Sequence, residues 1–416
     1  MKRGKVYPVK FVSAVVILAG LMLTTLATAA SKENVIYSFR GGAAGSNPTP
    51  NLLIDSAGNL YGTTVDGGDQ LMGTVFELSP KAGGGWKKQI LYSFQGGTDG
   101  STPSSGLIAD AAGNLYGETT GGGAQSLGTV YELSPAASGW TETVIYSFVD
   151  ANTGIFPGGG LVFDANSNLY GTTPQGGVPL GLGTVFELTP DGSGNWTEQV
   201  ILGFGRNRDG GLPFAGLILD SEGNMFGTTL AGYGEGTVYE LTPLAKGKWT
   251  TKVLHRFTGG KDGGNPSGNL ILDAAGNLYG TAESGGAGCD FGCGTAFKLT
   301  RLAKGWKFSV LYTFAGSEDG QQPDGTLAFD DSGNLYGTTS EGGGNGCSFN
   351  FGCGTVFELS PTAKGPWTET VLHRFVAQPD GLSPMGGLLP DTKGNWYGTT
   401  GSGGADGDGT VFKLTP

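Results

Sequence analysis

Short apolar runs such as "TVFEL" and "NLYG" recur along the chain, separated by glycine-rich polar stretches. Within the runs there is little in–out alternation, the pattern of strands packed on both faces. Residues 106–148 show the unit: "GLIAD" (106–110), "NLYGETT" (114–120), "GTVYEL" (128–133) and "WTETVIYSF" (140–148) predict four strands in succession. The first two are joined by Asp-x-x-Gly-Asn, in which Asp110 can accept local backbone N–H groups and Gly113 can take the left-handed conformation of a bulged hairpin turn.

That hairpin is written seven times, at 55–64, 110–119, 164–173, 220–229, 273–282, 330–339 and 391–400. Its asparagines, Asn59, Asn114, Asn168, Asn224, Asn277, Asn334 and Asn395, are 53 to 61 residues apart, a period in the range of propeller blades. A proline stands 11 residues before each Asn, from Pro48 to Pro384, and a leucine four residues after each proline, from Leu52 to Leu388. Residues 34–39 ("NVIYSF") read as a fourth strand lacking its first three, and 409–414 ("GTVFKL") as a third strand lacking its fourth. The two ends are therefore expected to share one blade, which removes the open edges of an unclosed array. The predicted fold is all-β: a seven-bladed propeller of four-stranded blades over residues 30–416, closed by the N-terminal strand.

Residues 1–29 carry a basic start, an apolar run from about Phe11 to Leu26 and the triplet Ala27, Thr28, Ala29, the layout of a secretory signal peptide cleaved after Ala29. The product is expected to be secreted or periplasmic, without a stable membrane anchor, and monomeric. Cleavage removes four of the 24 basic side chains and none of the 36 acidic ones, and so strong an acidic balance excludes nucleic acid as a partner. The 81 glycines follow no three-residue period, so collagen is excluded and they belong to turns.

The combined pattern "GNLYGTT…GG…GTVFEL.P…W.E.VLYSF" resembles the GloVer repeat of bacterial surface and secreted proteins described as choice-of-anchor tandem repeat proteins. The resemblance covers about residues 34–416 and implies a secreted propeller; it implies no activity and no catalytic residues. The Asp-x-x-Gly-Asn-Leu-Tyr hairpin is also more weakly similar to NHL-type and gluconolactonase-like propellers, which concerns architecture only.

Candidate chemistry concentrates in the loop entering each first strand and the loop between second and third strands, which share one face. The four cysteines lie in two such loops of blades five and six, "GCDFGCG" and "GCSFNFGCG". Two local pairs in a secreted chain read as disulfides Cys289–Cys293 and Cys347–Cys353; the alternative, a four-thiolate zinc site, lacks the usual two-residue spacing. Phe291, Phe349 and Phe351 lie inside those loops and could anchor a ligand or cover the loop base. Asp99, Asp209, Asp262, Asp319 and Asp380 each stand four residues before a repeat proline, with Ala44 and Thr153 in the other two places. They either shape turns through their own backbone or form an interrupted acidic ring that could hold Ca2+ or a cationic partner; no other cofactor is expected.

No catalytic constellation is apparent. His255 and His373 occupy the position of Tyr37, Tyr92, Tyr146 and Tyr312 and read as outer-strand packing residues. Trp86, Trp140, Trp196, Trp249, Trp306 and Trp367 open fourth strands and read as blade-edge packing, or else as sugar-stacking platforms. Such a chain is expected to be a non-catalytic binding or scaffold propeller whose loop face contacts an extracellular glycan or a cell-envelope protein. A polysaccharide hydrolase or lyase using loop carboxylates, and a structural matrix component, are the alternatives.

Overall fold

The second blade shows how the repeat folds. Its strands Ile108–Ala109, Leu115–Gly121, Thr129–Ala136 and Gly139–Ser147 pair antiparallel in that order from axis to rim. In this computed structural model, which describes residues 31–416 except 206–208, 233, 288, 290, 291, 345, 346, 348–351 and 364, seven such sheets follow one another. The seventh combines Leu389–Pro390, Trp396–Thr400 and Thr410–Thr415 with the N-terminal strand Lys32–Ser38, which pairs antiparallel with Thr410–Thr415. The shared blade read from the two chain ends is therefore present and closes the ring.

The hairpin between first and second strands is held by its aspartate. Asp110 accepts the backbone N–H groups of Ala112 (2.8 Å) and Asn114 (2.9 Å), the Asn114 Nδ2 amide (2.8 Å) and the Tyr116 hydroxyl (3.2 Å). Burial acts to raise its pKa, but these donors outweigh it and hold the carboxyl below the ordinary value. Asp55, Asp273 and Asp391 make the same four bonds. Asp110→Ala leaves all four donors without this acceptor and is expected to lower unfolding free energy by about 3 kcal/mol, with Asp110→Asn intermediate, as read by chemical denaturation.

The innermost strand is shorter than the sequence suggests. Of 106–110 only Ile108–Ala109 pairs as the strand's lower part, while Ser101–Pro103 pairs with the upper half of Leu115–Gly121. The interruption falls where neighbouring blades touch at the axis: a Cβ added to Gly106 would lie 2.4 Å from the Asn51 carbonyl oxygen of the preceding blade, and one on Gly216 would lie 2.6 Å from that of Gly159. Backbone there meets backbone, so only small residues fit and the ladder yields.

The core consists of the seams between blades. Each fourth strand ends in a buried phenylalanine, and its ring meets edge-on the aromatic of the next blade's third strand: Phe39 with Phe76 (5.2 Å), Phe94 with Tyr131 (5.1 Å), Phe148 with Phe186 (5.3 Å) and onward to Phe375 with Phe412 (5.1 Å). A bulge recurs at one place in every third-to-fourth pairing, for example beside Val130 and Tyr131, where it adds twist to the blade.

Candidate functional site

Antiparallel order places the second-to-third and fourth-to-first connections of every blade on one face, the loop face. The turns within the first-to-second and third-to-fourth pairs lie on the other. On the loop face the cysteines form the two disulfides expected, Cys289–Cys293 and Cys347–Cys353, each with Cα atoms 5.6 Å apart. Cys293 and Cys353 are buried at the loop bases. Phe291, Phe349 and Phe351 lie outside the described residues.

The five aspartates are held in their own turns. Asp319 accepts the Tyr312 hydroxyl (2.8 Å) and the Ala315 N–H; Asp99 does the same with Tyr92 and Gln95. Asp209 accepts the Gly205 N–H (2.9 Å). In Asp262 and Asp380 the phenol is replaced by an imidazole, His255 Nε2 at 3.1 Å and His373 Nε2 at 2.8 Å. These carboxylates sit between the fourth strand of one blade and the third strand of the next: Thr295 and Thr410 donate to the backbone carbonyls of Asp262 and Asp380.

A register of side chains that was not singled out from the sequence completes each of these sites. The second residue after the repeat tryptophan, or its equivalent in the N-terminal strand, is Glu33, Lys88, Glu142, Glu198, Thr251, Phe308 and Glu369 in turn, and all but Thr251 interact with the preceding blade. Glu142 is pushed up to about 8 by burial and by the neighbouring Asp99 carboxylate; Glu369 is pushed up to about 8 by burial and Asp319. Their Oε1 atoms are sealed from solvent and face no donor, which favours the protonated form of each carboxyl. Where Ala44 replaces the aspartate, Lys88 occupies the position instead. Its Nζ bonds the Ala44 carbonyl oxygen and stands 4.4 Å from the Phe39 ring centre, and burial pulls its pKa down to about 8. Phe308 stacks flat on His255 (3.7 Å, 7°), and burial lowers that imidazole's pKa against the pull of Asp262. The two histidines thus occupy the outer-strand packing position and face aspartates as well.

Two further acidic groups interrupt the repeat. Glu118 stands where the other blades have threonine; it is fully buried, its Oε2 accepts the Gly160 N–H (2.8 Å), and burial pushes it up to about 7. Asp324 follows its repeat proline and is pushed up to about 7 by burial and by Glu283, whose own carboxyl is raised by burial. The signal for Glu118 was available as a carboxylate in a column of threonines, whereas the column of Asp324 also holds Phe214 and Met385 and gave none; only packing shows the environment of either. At the axis itself a cavity of about 100 Å3 is lined by Asn51, Gly106, Gly160, Gly216 and Asn269, without a carboxylate.

The larger concavities on the turn face are grooves between adjacent hairpins, such as a 450 Å3 one lined by Asp55, Trp86, Asp391 and Tyr397. Their aspartates are bound within the hairpins, and Trp86 lies edge-on to Tyr397 (5.9 Å), which places the tryptophan in blade packing. The loop face differs. Of the ten exposed large apolar side chains among the described residues, eight are on it: Leu71, Met72, Val178 and Leu180 in second-to-third loops, and Val149, Phe214, Val376 and Met385 in fourth-to-first loops. Only Leu244 and Leu302 are on the turn face. A 580 Å3 concavity on the loop face is lined by Val376, Gln378, Leu382 and Ser402.

Seven four-stranded antiparallel blades, one completed from both chain ends, define a seven-bladed β-propeller with an apolar loop face and a nearly closed axis. The chain belongs to the Gloeobacter/Verrucomicrobia repeat family, whose repeat matches residues 22–234, 180–364 and 232–416. It is similar to a proposed 6-phosphogluconolactonase from Bacteroides uniformis (14% identity over 80% of this chain and 86% of that one, TM-score 0.50). It is similar also to the extracellular domain of a proposed one-component system from B. thetaiotaomicron (13%, 90% and 39%, 0.54) and to a puromycin-hydrolyzing peptidase from Mycobacterium tuberculosis (10%, 90% and 54%, 0.52). This chain thus spans well under two thirds of the length of the last two. No curated protein matches it. At such identities the likeness concerns the fold alone.

Proposed function

We propose that the protein is a secreted, non-catalytic binding or scaffold propeller that contacts an extracellular glycan or a cell-envelope protein through its loop face. One observation carries this reading: the segregation of exposed apolar side chains, eight on the loop face against two on the turn face. Apolar residues gathered on one face of a water-exposed fold favour a contact surface there. The disulfides restrain two of the loops that form it, which lowers the conformational entropy lost on binding.

The test is binding of the purified protein to a glycan array and to envelope protein fractions. A Leu180→Ser, Phe214→Ala, Met385→Ala variant is expected to lose saturable binding at least tenfold, while a Leu244→Ser, Leu302→Ser variant keeps it. Equal loss in both variants, or no saturable binding by the parent, defeats the reading and favours a matrix role. A hydrolase or lyase acting on extracellular polysaccharide is the second reading, favoured by Asp324 and Glu283, two neighbouring carboxyls whose pKa values burial raises above the usual carboxylate range. Turnover of a polysaccharide panel that disappears in Asp324→Asn would support it.

A further inference from the structure

The seam between the sixth and seventh blades joins three donor atoms that no other described seam combines. His373 Nε2 and Asp380 Oδ2 are 2.8 Å apart, and one carboxylate oxygen of Glu33, from the N-terminal strand, lies with both inside a 4.8 Å span. We propose that Glu33, His373 and Asp380 form a divalent-cation site, suited to Zn2+, that ties the N-terminal strand to the sixth blade.

The comparison with the other seams makes the case. In the Tyr92–Asp99–Glu142 and Tyr312–Asp319–Glu369 seams the third group is a phenol, which donates to the aspartate beside a glutamate whose pKa is raised by burial and by that aspartate. In the His255–Asp262 seam the imidazole is present, but Phe308 stacks over it in the place of the glutamate. Among the described seams only the sixth-to-seventh brings an imidazole and two carboxyls within reach of a single ion. Glu33 Oε1 is shut off from solvent and accepts no hydrogen bond.

The donor set selects the ion. One nitrogen and two carboxyl oxygens match the borderline Zn2+, whose binding displaces the proton that burial favours on Glu33; Ca2+ takes six to eight oxygen ligands and no imidazole. In a tetrahedral zinc site with bonds of about 2.0–2.1 Å the ligand atoms stand roughly 3.3 Å apart; here His373 Nε2 and Asp380 Oδ2 are 2.8 Å apart and all three donors lie within 4.8 Å of one another. The Val376 N–H holds the other oxygen of Asp380 (3.2 Å), orienting that carboxylate from behind as metal ligands require. His373 keeps about a fifth of its side-chain surface, so the cluster can be reached from solution. A cation there would bridge Lys32–Ser38 to the sixth blade, adding to the pairing of that strand with Thr410–Thr415 and to the Ser31 hydroxyl's bond with the Leu372 carbonyl oxygen.

The purified protein, stripped with EDTA and dialysed, is titrated with ZnCl2 and followed by calorimetry and thermal unfolding. One zinc per chain and a rise in Tm of about 3 °C or more at saturation are expected. Both are expected to vanish in Glu33→Gln and in His373→Tyr, the latter restoring the residue of the neighbouring seams and so expected to fold. His255→Tyr is expected to leave both unchanged. No shift in the parent overturns the site, as does a shift of equal size in Glu33→Gln or one abolished by His255→Tyr.

Discussion

A chain lacking residues 31–39 is expected to lose its closed fold, with a broadened thermal transition and aggregation at micromolar concentration. The deletion removes the fourth strand of the seventh blade and leaves Thr410–Thr415 as an open edge whose Val411, Phe412 and Leu414 are fully buried in the closed ring. An apolar strand with unpaired backbone groups pairs with whatever it meets. Phe39, also fully buried, fills the seam with Phe76 at 5.2 Å, and Phe39→Ala alone is expected to cost about 4 kcal/mol. That is a large share of the roughly 5–15 kcal/mol by which a domain is stable. A synthetic peptide of residues 31–40 added in trans is expected to restore the sharp transition. A deletion variant that stays monomeric with unchanged Tm would show that the ring does not depend on this strand.

Stability is expected to fall as pH rises from 5 to 8.5. Glu118, Glu142 and Glu369 have folded-state pKa values raised to about 7, 8 and 8 from the ordinary 4.5. A raised pKa means that the folded chain holds protons the unfolded chain releases. The contribution is therefore complete below about pH 4.5 and is lost as pH climbs through 7 to 8. Glu118, with no exposed surface, is the strongest single case, and its ionisation is expected to cost about 2 kcal/mol. The two partly exposed seam glutamates are screened, and about 1 kcal/mol for the pair is the fair expectation after that discount. The hairpin aspartates act in the opposite sense, since pKa values lowered in Asp55, Asp110, Asp273 and Asp391 make stability fall again below about pH 4. Glu118→Thr restores the repeat residue, whose hydroxyl in Thr172 donates to the Ala215 carbonyl oxygen of the next blade at 3.0 Å. It is expected to raise the urea midpoint at pH 8.5 and to flatten the pH dependence. A parent protein equally stable at pH 5 and 8.5 would refute the assignment.

Much of the site geometry was unreadable because seams join residues from different repeats. Asp99 and Asp319 stood out by their register, yet nothing in the spacing says that Glu142 and Glu369, from the following blade, close over them. The Lys88 exchange opposite Ala44 belongs to the same class: each partner looks unremarkable in its own repeat, and the relation exists only across the seam. The inner strand was read as longer than Ile108–Ala109 because apolar residues predict burial and not whether backbone ladders survive the crowding at an axis.

The sequence by itself determined the repeat, the strand count, the closure by the N-terminal strand and the pairing of the cysteines. These rest on local chemistry: periodic apolar runs, an aspartate that clasps its own hairpin, and thiols close enough in the chain to find each other. Only the tertiary structure decided which carboxyls are buried together, that the loop face gathers the exposed apolar side chains, and that Glu33 meets His373 and Asp380. Burial and charge proximity depend on distances between blades, and one-dimensional spacing does not encode them.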